Sequence, residues 1–183
     1  MKYSSTIFLL CLMIFTSSLK CKKNPPPLII DNTEKLPPAT QEGKNTCGFL
    51  LNGKVWVPKG NSGRSNPRWY FDPGLNNGSF NLVGTRTENI GDTSFTGFSL
   101  SFNNFSAGYY RINIDSSKAG VFTNSKNYCS YWWLDTIKNH NSFVNITKFD
   151  TQNRIIAGTF EFTLYKPGCD TVRITQGRFD VKY

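Results

Sequence analysis

Apolar and polar residues alternate along much of this chain after its first 45 positions. The alternation is strictest from Phe98 to Phe102, from Phe160 to Leu164 and from Phe179 to Tyr183. A period of two places successive side chains on opposite faces of a β-strand, so that one face is buried and the other is solvated. Helical spacing is absent. The pattern therefore predicts strands that each bury one face.

Turn residues separate these segments. Asn52-Gly53 lies between the predicted strand segments Cys47–Leu51 and Lys54–Val57, and this dipeptide favours a tight hairpin because both residues accept positive φ angles. Glycine, asparagine and aspartate recur between the later strands, as at Asp72-Pro73-Gly74. The sequence predicts an all-β fold, a single antiparallel β-sandwich or flattened barrel of about nine to ten strands.

The N-terminus has the pattern of a secretory signal. Lys2 precedes the apolar run Ile7–Phe15, which is too short to span a bilayer as a helix. We interpret residues 1–20 as a signal peptide, residues 21–45 as a lipidated cysteine and proline-rich tether, and residues 46–183 as the β domain. Prolines favour extended geometry, so the tether is predicted to be a semi-stiff spacer. Alternatively, Leu28–Ile30 packs on the domain as an added strand.

The net charge of the chain adds little to the prediction of fold or function. The formal net charge is +9, and it falls to +7 when Lys2 and Lys20 are removed with the signal peptide. The basic residues are scattered singly and form no nucleic-acid motif, so we predict no nucleic-acid partner. Anionic headgroups, acidic glycans or simple solvation account better for the charge.

Several motifs resemble a group of uncharacterised Bacteroidetes envelope lipoproteins. They are the CKKNPPP start of the tether, the LPPATQ and NGKVW segments, GTFEF at residues 158–162 and the ending GRFDVKY. The resemblance implies an envelope-anchored β domain and brings no known activity, so it assigns no functional residues.

Cys21 is the predicted lipid attachment site. Lys20 departs from the small residue that usually precedes a lipidated cysteine, and cleavage after Ser17 or Ser18 to give a soluble product is the alternative. The expected location is the outer membrane, facing either the periplasm or the cell surface, with the membrane as a partner through the lipid anchor.

Three further cysteines follow in the domain. Export favours disulfides, and three thiols leave one unpaired. Cys129 and Cys169 lie at strand ends beside loops, whereas Cys47 lies in the apolar run CGFLL, where a free cysteine behaves as a small buried hydrophobe. We predict a Cys129–Cys169 disulfide with Cys47 reduced.

Candidate catalytic chemistry is sparse, and we predict no catalytic residue, metal site or cofactor. His140 is the single histidine and lies in a polar loop, and no CxxC pair exists. A glycoside hydrolase acting through carboxylates is the third hypothesis for function, although aspartates in turns ordinarily cap backbone groups and Glu161 and Asp180 are expected on solvated strand faces. The carboxylates considered are Asp72, Glu88, Asp92, Asp115, Asp135, Asp150, Glu161, Asp170 and Asp180.

Exposed aromatic residues suggest a second hypothesis, a glycan-binding module, because sugar rings stack on flat side chains. The candidates are Trp69, Tyr70, Tyr131, Trp132 and Trp133. Trp132 and Trp133 are predicted to point to opposite faces of a strand over Tyr131–Leu134. The first hypothesis is a structural or interaction domain that docks on another envelope protein, since this role needs no special residues.

Two tripeptides resemble the acceptor site of Bacteroidetes protein O-glycosylation. They are Asp135-Thr136-Ile137 and Asp170-Thr171-Val172. We predict a glycan on Thr136 in preference to Thr171.

Overall fold

The computed structural model describes residues 34–60, 65–87, 93–112, 118–132, 135 and 142–183. These residues form eleven β-strands: β1 (Thr46–Leu51), β2 (Lys54–Trp56), β3 (Arg68–Asp72), β4 (Ser79–Arg86), β5 (Thr96–Asn103), β6 (Gly108–Arg111), β7 (Lys118–Asn124), β8 (Cys129–Tyr131), β9 (Phe143–Asp150), β10 (Ile155–Leu164) and β11 (Val172–Lys182). The predicted all-β class is confirmed. Cys21 and the predicted signal peptide, with Leu28–Ile30, lie outside the described residues.

The strands form two antiparallel sheets. Sheet A has the order β2-β1-β11-β10-β9-β6, and sheet B has the order β3-β4-β5-β7-β8. Neither sheet closes on itself within the described residues, so the fold is a sandwich rather than a barrel. No helix in the same part of the chain is long and apolar enough to cross a membrane.

Phenylalanine rings fill the space between the sheets. Phe160 on β10 stacks on Phe98 of β5 with ring centroids 5.0 Å apart, and Phe49 on β1 lies 4.9 Å from Phe98. All three rings are buried, as the alternation predicted for Phe98 and Phe160. Aromatic pairs at these separations add roughly 0.5–1.5 kcal/mol each beyond the area that they bury.

The predicted hairpin forms at Asn52-Gly53. Asn52 has a φ of 48° and Gly53 a φ of 82°, which is the left-handed geometry that a two-residue turn between antiparallel strands requires. The Asn52 side chain also accepts a 2.8 Å hydrogen bond from the Arg173 backbone N–H. The turn therefore joins β1 and β2 and is fixed to the start of β11.

Residues 34–45 belong to the same compact unit as the strands. We refer to residues 34–45 as the strap, because they lie against the β-strands without forming one. A Cβ atom on Gly48 of β1 would lie 2.8 Å from Cδ of Pro37, so only glycine leaves room for the strap at this point. At its start, Glu34 forms ion pairs with Arg86 (2.8 Å) and Lys59 (3.3 Å).

Asp180 on β11 holds the other end of the strap. Its carboxylate accepts hydrogen bonds from the Thr40 hydroxyl (2.6 Å) and from the backbone N–H groups of Glu42 (3.0 Å), Gly43 (2.7 Å) and Lys44 (3.2 Å). The expectation that Asp180 faces solvent is wrong, because the strap covers it and leaves the residue 1% exposed.

The protonation equilibrium of Asp180 reflects these contacts. Burial by itself would raise the pKa of this carboxyl, but the four donors in the strap together hold the pKa below its usual value. The carboxylate form is therefore the one that fixes the strap to β11.

Candidate binding site

The predicted disulfide forms between Cys129 and Cys169, whose Cα atoms are 6.0 Å apart. It joins the start of β8 to the loop between β10 and β11. Cys47 is free, as predicted, and burial raises the pKa of its thiol to about 12. A thiol with such a pKa is almost entirely protonated near neutral pH and is a poor nucleophile.

Two of the predicted glycan-binding aromatics have structural contacts instead. Tyr131 is 1% exposed, and its hydroxyl donates a hydrogen bond to the backbone carbonyl of Asp170, so its ring is not open to a ligand. Trp69 is partly buried against the core, and its indole Nε1–H donates to the Lys182 carbonyl at 2.9 Å. Tyr131 therefore joins β8 to the loop before β11, and Trp69 joins β3 of sheet B to β11 of sheet A.

Trp132 and Tyr70 are exposed, as the glycan-binding hypothesis requires. The strand predicted over Tyr131–Leu134 ends at Tyr131, so Trp132 lies outside sheet B and is 55% exposed. Trp133 lies outside the described residues. Tyr70 projects from the edge strand β3, and its hydroxyl donates to the Asp72 carboxylate at 3.1 Å.

Trp132 belongs to a set of residues beside the disulfide that we name the disulfide surface: Tyr128, Trp132, Asp135, Tyr165 and Lys166. Its centre is Asp135. The Asp135 carboxylate accepts the Trp132 backbone N–H at 2.8 Å, and the Asp135 carbonyl accepts the Tyr165 backbone N–H at 2.8 Å. The two aromatic residues are therefore held on either side of one aspartate.

The side chains of this surface project into solvent. Trp132 is 55% exposed, Tyr165 is 51% exposed and Tyr128, in the turn between β7 and β8, is 93% exposed. The Lys166 ammonium donates to the Ser130 carbonyl at 3.0 Å and ties the Tyr165 loop to β8. The disulfide surface is thus a set of exposed aromatic side chains on loops that hydrogen bonds and the disulfide hold to the sandwich.

Two carboxylates lie near the Tyr131 phenol. Burial raises the pKa of this phenol, and the nearby carboxylates of Asp170 and Asp135 raise it further. Within the disulfide surface the Lys166 ammonium offsets the charge of the Asp135 carboxylate, so the surface is suited to a neutral ligand.

Tyr165 and Tyr128 were not predicted as binding residues. Tyr165 follows Leu164, the last buried residue of the alternating segment on β10, so a large aromatic side chain occurs where alternation places an outward residue. That mismatch was a usable signal. Tyr128 has a φ of 55° in a turn, which no local pattern indicated.

Carboxylates in turns have the capping role that the sequence predicted. Asp72 accepts the backbone N–H groups of Gly74 and Leu75, and Asp150 accepts that of Asn153. Within the described ranges, no group of three histidine, cysteine or acidic residues could hold a metal ion. The predicted residues Glu88, Asp92, Asp115, Thr136 and His140 lie outside those ranges, and Thr171 is partly buried before β11.

Comparison with known families gives one match. The profile of a domain of unknown function, DUF6252, matches residues 76–181, which is more than half of the chain. The chain belongs to the DUF6252 family. The matched region contains the disulfide and the disulfide surface, whereas the strap and β1–β3 precede it. No curated protein and no solved structure matches the chain.

Proposed function

We propose that this DUF6252 protein is an outer-membrane lipoprotein, attached through Cys21, whose β-sandwich is a saccharide-binding module. The observation that carries the proposal is the pair Trp132 and Tyr165, two exposed aromatic residues whose backbones are both hydrogen-bonded to Asp135. The C–H face of a sugar ring packs on such flat side chains.

Binding is favoured over hydrolysis by the way in which Asp135 is used. A glycoside hydrolase needs two carboxyl groups on either side of the scissile bond, about 5 to 9 Å apart. The Asp135 carboxylate instead accepts the Trp132 N–H and so fixes the loop. One oxygen of this carboxylate is thereby used to hold the loop, which supports a positioning role for Asp135 over a catalytic one.

The saccharide site is tested with variants of the two aromatic residues. Affinity electrophoresis through gels that contain a neutral polysaccharide, either soluble β-glucan or xylan, measures binding by the intact protein. Trp132→Ala and Tyr165→Ala should each weaken binding about tenfold, which corresponds to about 1.4 kcal/mol.

Tyr70→Ala is the matched control, because it removes an exposed tyrosine from the edge of sheet B and should leave the affinity unchanged. If Trp132→Ala folds normally and migrates like the unaltered protein in both gels, the disulfide surface is not a saccharide site.

The anchor is tested by Cys21→Ser. Two or three acyl chains at about 0.8 kcal/mol per buried CH₂ hold a protein firmly on a bilayer, whereas the serine variant has no attachment point. The variant should move from the membrane fraction to the soluble fraction, with its β domain unchanged by circular dichroism. A variant that still sediments with membranes after detergent-free washes would place the anchor elsewhere.

Docking on another envelope protein is the second candidate function. Tyr128 favours it, because a tyrosine that is 93% exposed at a turn is typical of the aromatic residues that dominate protein interfaces. Tyr128→Ala separates the candidates: a saccharide site centred on Trp132 should tolerate this change.

A further inference from the structure

A second group of exposed aromatic residues lies on the outward face of sheet A. Tyr109 on the edge strand β6 is 55% exposed and stacks on Phe143 of β9, with ring centroids 5.0 Å apart and an interplanar angle of 24°. Val144 and Ile146, which alternate with Phe143 and Asn145 on β9, are fully buried. The two stacked rings therefore face outward, away from the core, and Phe143 is only partly covered.

Strand register places three polar side chains around this ring pair. Phe143 lies opposite Arg111 of β6 on one side and opposite Glu161 of β10 on the other, and Asn145 lies opposite Tyr109. Directly opposed residues have Cβ atoms about 4.5–5.5 Å apart. The Cβ atoms of Arg111, Glu161 and Asn145 thus lie within about 10 Å of one another around two stacked rings.

These polar groups differ in whether they already form hydrogen bonds or ion pairs within the protein. One oxygen of the Glu161 carboxylate accepts the Gln176 backbone N–H at 3.2 Å. Neither the exposed Arg111 guanidinium nor the Asn145 amide has a hydrogen bond or ion pair to any residue of the described ranges. Donors are therefore available on the side of Arg111 and Asn145, and an acceptor lies on the side of Glu161.

We propose that Tyr109, Arg111, Phe143, Asn145 and Glu161 form a second saccharide site, the sheet A platform, and that it binds a uronic acid residue of an acidic polysaccharide. The pyranose ring lies over the exposed side of the Tyr109 ring and along the outward edge of Phe143. Its carboxylate pairs with Arg111, and its hydroxyl groups donate to Glu161 and accept from Asn145. This inference deepens the proposed function, because it assigns a second site with a different ligand chemistry to the same domain.

Charge complementarity supports an acidic ligand. Arg111 presents five N–H donors in a planar fork that matches a carboxylate. Glu161 lies on the far side of Phe143, so a ligand carboxylate at Arg111 is separated from it by the width of a ring. The net positive charge, which remains +7 without Lys2 and Lys20, also favours the approach of a polyanion.

The probe is alginate, a polyuronate, measured by affinity electrophoresis and by titration calorimetry on the full chain. Tyr109→Ala and Arg111→Gln should each lower the affinity for alginate about tenfold. Arg173→Gln is the matched control, because Arg173 is also an exposed arginine of sheet A, on β11, and the change removes the same charge. The affinity of this control should stay within about twofold of the unaltered protein's.

Equal losses for Arg111→Gln and Arg173→Gln would show diffuse attraction of a polyanion and would overturn the proposal. Unchanged alginate binding by Tyr109→Ala, or no alginate binding by the unaltered protein, would also overturn it. The Trp132→Ala variant keeps the two sites distinguishable: it should lose neutral polysaccharide and retain alginate, so either site can fail without the other.

Discussion

The strap and the disulfide surface are both irregular segments, but they are fixed to the sandwich by different chemistry. The strap is held by one buried carboxylate, Asp180, which accepts hydrogen bonds from Thr40, Glu42, Gly43 and Lys44. The disulfide surface lies beside a covalent bond that closes a separation of 40 residues. The difference shows that the stability of two irregular segments in one domain can depend on different solution conditions.

Protonation and reduction should act on these two regions separately. Lowering the pH neutralises Asp180 and weakens the strap, but it leaves a disulfide intact. A reductant has the opposite selectivity. The Asp180 hydrogen bonds and the disulfide can therefore be tested with separate variants and separate measurements.

Removal of the disulfide is expected to have the largest effect. Cys129→Ala together with Cys169→Ala should lower the free energy of unfolding by about 4 kcal/mol, because the unfolded chain regains the entropy of an open loop of that length. Urea unfolding monitored by tryptophan fluorescence gives this value.

Dithiothreitol serves as the control for this pair of substitutions. It should destabilise the unaltered protein and leave the double variant unchanged. A double variant as stable as the unaltered protein would mean that the disulfide does not constrain the fold.

Asp180→Asn should have the next largest effect, a loss of about 3 kcal/mol at pH 7, because an amide turns an N–H group toward donors that a carboxylate accepts. The loss should appear first in the strap. Hydrogen exchange at the amides of Glu42, Gly43 and Lys44 measures it directly, and the amides of Trp132 and Tyr165 serve as internal controls that should keep their protection.

The pH dependence of the same variant sharpens the comparison. The pKa of Asp180 in the folded protein lies below the value of about 3.9 in the unfolded chain, so the carboxylate stabilises the fold above that value and its contribution is lost as the pH falls through the folded pKa. The stability difference between Asp180→Asn and the unaltered protein should therefore narrow below about pH 4. A difference that stays constant down to pH 2 contradicts this role.

Local pattern was sufficient for most of the fold. Alternation from Phe160 to Leu164 identified the buried face of β10, and Asn52-Gly53 identified the first hairpin. The alternation of β11 also contains the signature of a β-bulge. Its buried and exposed positions before Gln176 are out of phase by one residue with those after it, and the register with β10 shifts at this point. Such a phase change requires an extra residue in one strand.

Contacts between distant segments were beyond local pattern. Asp180 occupies an outward position by alternation and is buried because the strap, more than 130 residues earlier, covers it. Local pattern also favoured Tyr131 as a stacking residue, because it does not show that the Tyr131 hydroxyl donates a hydrogen bond to the loop at Asp170. The sequence did not predict the sheet A platform, because its residues come from three strands that only the register brings together.

The strap also determines how the domain bears a mechanical load. A force applied at Glu34 acts first on its ion pairs with Arg86 and Lys59, of which the Lys59 pair is largely exposed and adds little. The next resistance is at Asp180, on a strand that is hydrogen-bonded to β1 on one side and to β10 on the other. Tension is thereby transferred to the interior of sheet A instead of to the short edge strand β2, so the sandwich should remain folded while Glu34 is pulled.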